Sequence, residues 1–338
     1  MIDLNLAPEQ QQIVDSARAM LERHYPIERL RKDGAAADDL GAIAEFGGFI
    51  LSLPEDVGGG GLTAVEDMLL QVEFGRHLVS PSALAMPLAL RLCHEAGHND
   101  LLKELLAGEK TVALGNFLTG GADVFAGALH LYDASAANFA LVSTPSAAGL
   151  IDLANVGREP IASAIPAVAL TRATISDADI AIRREGSTTS VPAFARLLVS
   201  AQLLGISEAL RDMTVEYAKV RTQFGQPIGA FQAVKHRCAD MAIRAEAHSA
   251  QLTIAALALG GDWSDAAFQL DAAWLLACRY AMENARSAIQ VHGGIGFSAE
   301  CDAHLYLLRA QLFENLGAGT SRREADLCRQ PAQAWAVS

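Results

Sequence analysis

The chain has 338 residues, 51% hydrophobic and 19% charged, which suits two or three packed units with large cores and argues against disorder. A formal net charge of −13 argues against a nucleic-acid or anionic-membrane surface, since either needs a basic face. The five cysteines (Cys93, Cys238, Cys278, Cys301 and Cys328) have neither metal-ligand spacing nor a CxxC pair and read as thiols of a reducing compartment.

In chain order, the first residues carry no basic flank followed by an apolar run, so a cytoplasmic protein is expected. Ala7-Pro8-Glu9 predicts a helix start, with proline suited to the first turn. Helical spacing continues to Leu106, broken by the run Gly58-Gly59-Gly60-Gly61 and resumed over Ala64–His77. Residues 1–110 are therefore expected to form a helical domain. Residues 111–185 change texture to short apolar runs between turn residues, which predicts a shortened β domain. Its strands are expected at Ala140–Ser143, Ala167–Leu170 and Ile180–Ile182.

Residues 186–338 return to helices. Over Pro192–Val220, Leu203, Ile206, Leu210, Met213, Tyr217 and Val220 recur at three- and four-residue steps as one apolar stripe. Arg196, Gln202 and Glu208 interrupt the most apolar stretch, Val191–Leu210, so it reads as a core helix and not a membrane span. Further helices are expected over Ala233–Leu259 and Ser264–His292, parted by Gly260-Gly261-Asp262, giving a helical bundle.

Two segments carry the chemistry. Arg221-Thr222-Gln223-Phe224-Gly225-Gln226-Pro227-Ile228-Gly229, followed by Phe231-Gln232, sets a fixed cation, an amide and an aromatic on a glycine-bearing turn. The planar arginine fork matches a pyrophosphate. After two long helices comes Gln290-Val291-His292-Gly293-Gly294-Ile295-Gly296-Phe297, where missing side chains let a flat ligand lie on backbone beside an amide. A lone glycine cluster behind a helix is ordinarily a helix cap. The two segments in this order, followed by His304-Leu305-Tyr306-Leu307-Leu308-Arg309-Ala310, resemble the C-terminal domain of acyl-CoA dehydrogenases. The segment from Leu53 to Leu62 and that from Val72 to Leu78 are similar to the family's N-terminal domain.

The resemblance implies a mainly α fold with a β-barrel-like middle domain and a C-terminal four-helix bundle. It also implies FAD as cofactor and an acyl-CoA substrate. By position, Arg221, Gln223, Phe224, Gln232, Gln290, Gly293, Gly294 and Thr320 would hold the cofactor, the ADP half belonging to a neighbouring subunit. His292, within the second segment, reads as packing or solvated.

The base that such chemistry requires is missing where the family places it. One site falls on Ala318, before Gly319-Thr320; another on Ala195, beside Arg196; a third on Gln202. Neither alanine nor glutamine accepts a proton at neutral pH. Glu314, one helical turn before Ala318, is the first candidate for a relocated base, with Glu300 and Glu246 behind it. No tryptophan stands between Thr111 and Ile182, and Ala113–Leu118 replaces the family's acidic-proline-glycine segment, so the flavin-ring half looks degraded. That combination resembles the smaller subunit of heteromeric α2β2 acyl-CoA dehydrogenases of steroid side-chain degradation. It implies a partner subunit that carries the catalytic glutamate, and an electron-transferring flavoprotein as acceptor. The rival readings are a self-sufficient homotetramer with a relocated base, a flavin monooxygenase on the same scaffold, and a non-enzymatic scaffold protein.

Overall fold

A computed structural model describes residues 4–31, 38–118, 125–185, 190–316 and 327–328. The N-terminal helices are α1 (Pro8–His24), α2 (Gly41–Glu45), α3 (Ala64–Arg76), α4 (Ala85–Ala96) and α5 (Asn99–Leu106). Pro8 opens α1, where its missing N–H costs nothing. The glycine run doubles back on the preceding segment: Gly60 N donates to the Ile50 carbonyl at 2.8 Å and Gly61 N to that of Leu53 at 2.9 Å. Thr63 then caps α3 in a reciprocal box, its backbone N–H bonded to Glu66 Oε2 at 2.8 Å and its hydroxyl accepting from Val65 N at 3.2 Å.

Seven strands follow: β1 (Val112–Phe117), β2 (Gly127–Tyr132), β3 (Phe139–Ser143), β4 (Ala147–Asp152), β5 (Arg158–Ile161), β6 (Leu170–Ile175) and β7 (Ile180–Glu185). They form one sheet in the order β5-β6-β2-β1-β3-β4-β7, all neighbours antiparallel except β1 and β3. Both faces are buried in the central strands β1, β3 and β4, while β5, β6 and β7 expose part of theirs. Leu129, Leu131, Val142 and Ile151 fill the sheet's own core, while Leu114, Tyr132, Leu141, Leu150 and Ile182 pack into the core shared with the helices.

The expected strand at Ala167–Leu170 is corrected: Ala167 has a positive φ of 55° and β6 starts at Leu170. Asp133 marks the boundary: its N–H donates to the Ala169 carbonyl at 2.8 Å, but its side-chain Oδ1 accepts from Ala169 N at 2.7 Å, so regular pairing stops there.

The bundle consists of α6 (Val191–Val220), α7 (Gln232–Gly260), α8 (Ala266–His292) and α9 (Ala303–Asn315). Helix α6 is long and apolar enough to cross a membrane, yet 78% of its most apolar window is buried among other helices. Helix α3 crosses it so closely that a methyl added at Gly205 would land on the Val72 carbonyl oxygen, and one at Gly75 on that of Gln202. The crossing is fastened at its rim by Arg76, which pairs with Glu208 at 2.9 Å and with Asp212 at 2.8 Å.

Helix α9, which carries the His304–Ala310 segment, is tied to the N-terminal helices along one face. Arg31 grips Asp302 with two bonds of 2.7 Å, Tyr306 donates its hydroxyl to the Arg76 carbonyl at 2.8 Å, and the Arg309 guanidinium donates to the Val79 carbonyl. Burial pushes the Arg309 guanidinium down to about 10.

Candidate functional site

The site is built where α6 and α8 end together. Helix α6 closes with the Arg221 N–H donating to the Tyr217 carbonyl at 2.9 Å, and the Arg221 carbonyl accepts from Ile228 N at 2.8 Å. Between these bonds the chain makes a minimal hairpin, β8 (Thr222–Gln223) against β9 (Gln226–Pro227), with Gln223 opposite Gln226. Its two turn residues, Phe224 and Gly225, have φ of 52° and 79°. That is the primed turn a two-residue hairpin requires, and glycine fills its second position without strain. Phenylalanine in the first position is strained, a cost borne mostly where a side chain is needed for something else.

That side chain is 93% exposed, its ring edge-on to Phe231 at 6.0 Å. The apolar stripe of α6 runs out into solvent at the same place: Leu203, Ile206 and Leu210 are buried, but Val220 is 74% exposed. Arg221 and Gln223 are exposed, and Gln232 is exposed as the first residue of α7. Among the described residues none pairs the Arg221 guanidinium.

The second segment meets the first through a ring stack. Tyr217, on the last turn of α6, and His292, the last residue of α8, lie 4.3 Å apart with their planes 24° from parallel. His292 is buried, and its Nδ1 bonds the Ala288 carbonyl at 2.7 Å, so that nitrogen carries the proton. Gln290 is exposed one residue before Val291, and Gly293 turns the chain with φ of 65° into the short helix Gly293–Phe297. Nothing lies within 4 Å of where a side chain would begin at Gly293 or Gly294. Their backbone therefore faces open space. An unpaired guanidinium, three amides, an exposed ring and bare backbone at one end of a bundle fit the nucleotide half of a dinucleotide.

The positions where a base is expected do not gather there. Gln202 is fully buried between α6 and α3, its Nε2 donating to Gln71 Oε1 at 2.6 Å. Ala195 is half-buried at the start of α6, beside an Arg196–Asp271 pair at 3.9 Å. Ala318 and Thr320 lie outside the described residues. Glu314 is half-buried on the last turn of α9, Glu300 is exposed ahead of α9, and Glu246 is exposed on α7, 3.8 Å from Arg211. The last turn of α9 reaches the sheet, where Asn116 Nδ2 of β1 donates to the Asn315 carbonyl at 3.4 Å.

Sequence patterns did not mark what the sheet offers at that junction. Asn116 stands opposite His130 and Leu114 opposite Tyr132 across β1 and β2, so Asn116, His130 and Tyr132 share one face. Burial raises the Tyr132 hydroxyl above its ordinary value and lowers the His130 imidazole, with Arg172 adding to the latter. The signal was present as polar residues alternating along an otherwise apolar strand. Among the described residues no cluster could hold a metal ion.

Comparison with known proteins gives the family. The family model described as "Acyl-CoA dehydrogenase, C-terminal domain" matches residues 188–329, and that described as "Acyl-CoA dehydrogenase, N-terminal domain" matches residues 7–109. The chain belongs to the acyl-CoA dehydrogenase family. It is 31% identical over 290 residues to acyl-CoA dehydrogenase FadE34 of Mycobacterium tuberculosis, a match covering 83% of this chain and 40% of that protein. It is 29% identical over 347 residues to acyl-CoA dehydrogenase IpdE2 of the same organism, covering 96% of this chain and 99% of that one. Among solved structures, one chain of the ChsE4-ChsE5 complex from Mycobacterium tuberculosis aligns with a TM-score of 0.79 at 22% identity, over 98% of this chain and 100% of that chain.

Proposed function

We propose that the chain is the base-lacking subunit of a two-subunit, FAD-dependent acyl-CoA dehydrogenase acting on a steroid-type or other bulky acyl-CoA. The observation that carries the reading is the end of the bundle. Arg221, Gln223, Phe224, Gln232, Gln290, Gly293 and Gly294 are all exposed, and no described residue pairs the Arg221 guanidinium, as in a half-site that another subunit completes. When bound, FAD supplies the hydride acceptor. This chain supplies the Arg221 charge for the pyrophosphate, Gln290 and the Gly293-Gly294 backbone for the adenine, and Thr320 in the segment behind α9.

The base comes from the partner. Ala195 has no ionisable group, and a carboxylate at position 202 would sit sealed against Gln71, away from any substrate. Similarity to a chain of the ChsE4-ChsE5 complex and to IpdE2 supports a heteromeric partner. Electrons then pass to an electron-transferring flavoprotein, and the enzyme works in the cytoplasm, in fatty-acid or steroid catabolism.

One observation favours a second reading. The bond between Asn116 and Asn315 brings Glu314 to the junction of sheet and bundle, where a relocated base in a self-sufficient homotetramer would stand. Flavin absorbance separates the two. Purified alone the chain should be nearly colourless, and coexpressed with a glutamate-bearing partner it should turn yellow. A homomer loaded one FAD per chain would overturn the two-subunit reading.

A further inference from the structure

The Tyr217–His292 stack is left over by the cofactor reading, which assigns neither ring a contact with FAD. We propose that the stack is a positioning clamp that fixes the spacing of the Arg221 turn and the Gln290–Gly294 loop, so that the two grip one nucleotide together. The inference rests on the FAD reading above and assigns it a part it lacks: what holds two separate loops in register.

Each ring is fixed on its own side. The Tyr217 carbonyl accepts the Arg221 N–H at 2.9 Å, so a shift of Tyr217 moves the start of the hairpin. His292 is buried, and its Nδ1–H is committed to the Ala288 carbonyl at 2.7 Å, so the imidazole cannot swing without breaking that bond. It also stands immediately before Gly293, whose φ of 65° starts the open backbone. The rings meet at 4.3 Å and 24°, a separation of stacked aromatics. Beyond them both loops face solvent: Phe224 is 93% and Phe297 80% exposed. The stack therefore joins the last turn of α6 to the last residue of α8, where the half-site begins. A site shared between subunits needs such a clamp, because the partner cannot order these loops until it has docked.

The variants are Tyr217→Leu and His292→Leu, which keep apolar bulk but lose the stack, and Tyr217→Phe, which keeps it. Affinity for FAD is read by flavin fluorescence on dilution of the purified assembly, whichever subunits it holds, with Arg221→Ala as reference. Each leucine variant should lose about three- to tenfold in FAD affinity, the size of one aromatic pair. The double leucine variant should lose no more than either single one. Tyr217→Phe should bind as the parent does. Amide hydrogen exchange on the chain without FAD gives a second readout: Tyr217→Leu should speed exchange over residues 290–297, on the opposite helix, while the melting temperature falls by no more than about 3 °C. Unchanged affinity in both leucine variants, additive losses, or a phenylalanine variant as weak as the leucine one would each overturn the clamp. If Arg221→Ala also left FAD binding intact, the cofactor reading itself would fall; if only the stack variants did so, the clamp alone would.

Discussion

At the scale of single residues, Arg221 is the most exposed to test. Its guanidinium has no partner among the described residues, so its removal leaves no buried charge behind and little change in stability. Arg221→Ala should weaken FAD retention by about ten- to a hundredfold, the worth of a hydrogen bond to a charged group, measured by equilibrium dialysis of the complex. Glu314→Gln tests the rival base. It keeps shape and polarity, and removing a true general base costs about 10²–10⁴ in rate. If the partner supplies the base, turnover in the Glu314→Gln complex should stay near that of the parent. A complex that binds FAD and acyl-CoA normally but fails to reduce flavin would restore the self-sufficient enzyme.

His248 adds a pH dependence at the same scale. It is fully buried on α7 with neither ring nitrogen bonded, and burial pushes its pKa down to about 3. In the unfolded chain the ring titrates near 6.5, so between those values the unfolded state holds the extra proton. Stability therefore rises with pH through this window and falls as the solution is acidified, by about 1.4 kcal/mol per pH unit from this group. Asp67 acts in the opposite direction. Burial raises it to about 6, so the folded state holds its proton first and its share of stability is lost as pH rises through that value. His248→Leu should flatten the fall in melting temperature between pH 6 and about 4; an unchanged slope would show that the ring is not buried as neutral.

At the scale of elements, the crossing of α3 and α6 is the tightest joint. No side chain fits at Gly205, because its first carbon would overlap the Val72 carbonyl. Gly205→Ala must spread the helices, and overpacking of this kind costs about 1–3 kcal/mol. Chemical denaturation of the purified protein should show that loss. The same spreading would pull Arg76 from Glu208 and Asp212. In contrast, Gly97→Ala at the end of α4 meets nothing within 4 Å and tests only the strain of a φ of 75°. It should cost less, and a larger loss there than at Gly205 would contradict the packing account.

At the scale of the whole molecule, α9 binds the domains together. Asp302, Tyr306 and Arg309 lie at four- and three-residue steps, so they share a face, and all three grip the N-terminal segment. Asn116 holds the far end of the same helix to the sheet. The sheet and the N-terminal helices are thus both tied to this one helix.

Much of this was legible in the residues because it depends on local chemistry. Apolar spacing marked α6, α7 and α8, since the helical period is written in the order of side chains. The glycine and arginine segments were legible for the same reason: a turn with positive φ admits few residues, and Phe224-Gly225 and Gly293 stand where such turns occur. Partners far apart in the chain were not legible. That Asp133 would end regular pairing at Ala169, that Gln202 would be sealed against Gln71, and that His248 would lose both its hydrogen bonds depend on which elements pack together. The meeting of Tyr217 with His292 is of the same kind. Each residue alone is an ordinary ring near a helix end, and only the side-by-side packing of α6 and α8 brings the two loops to one place. Periodicity tells which face of an element is buried; tertiary packing alone decides what it is buried against.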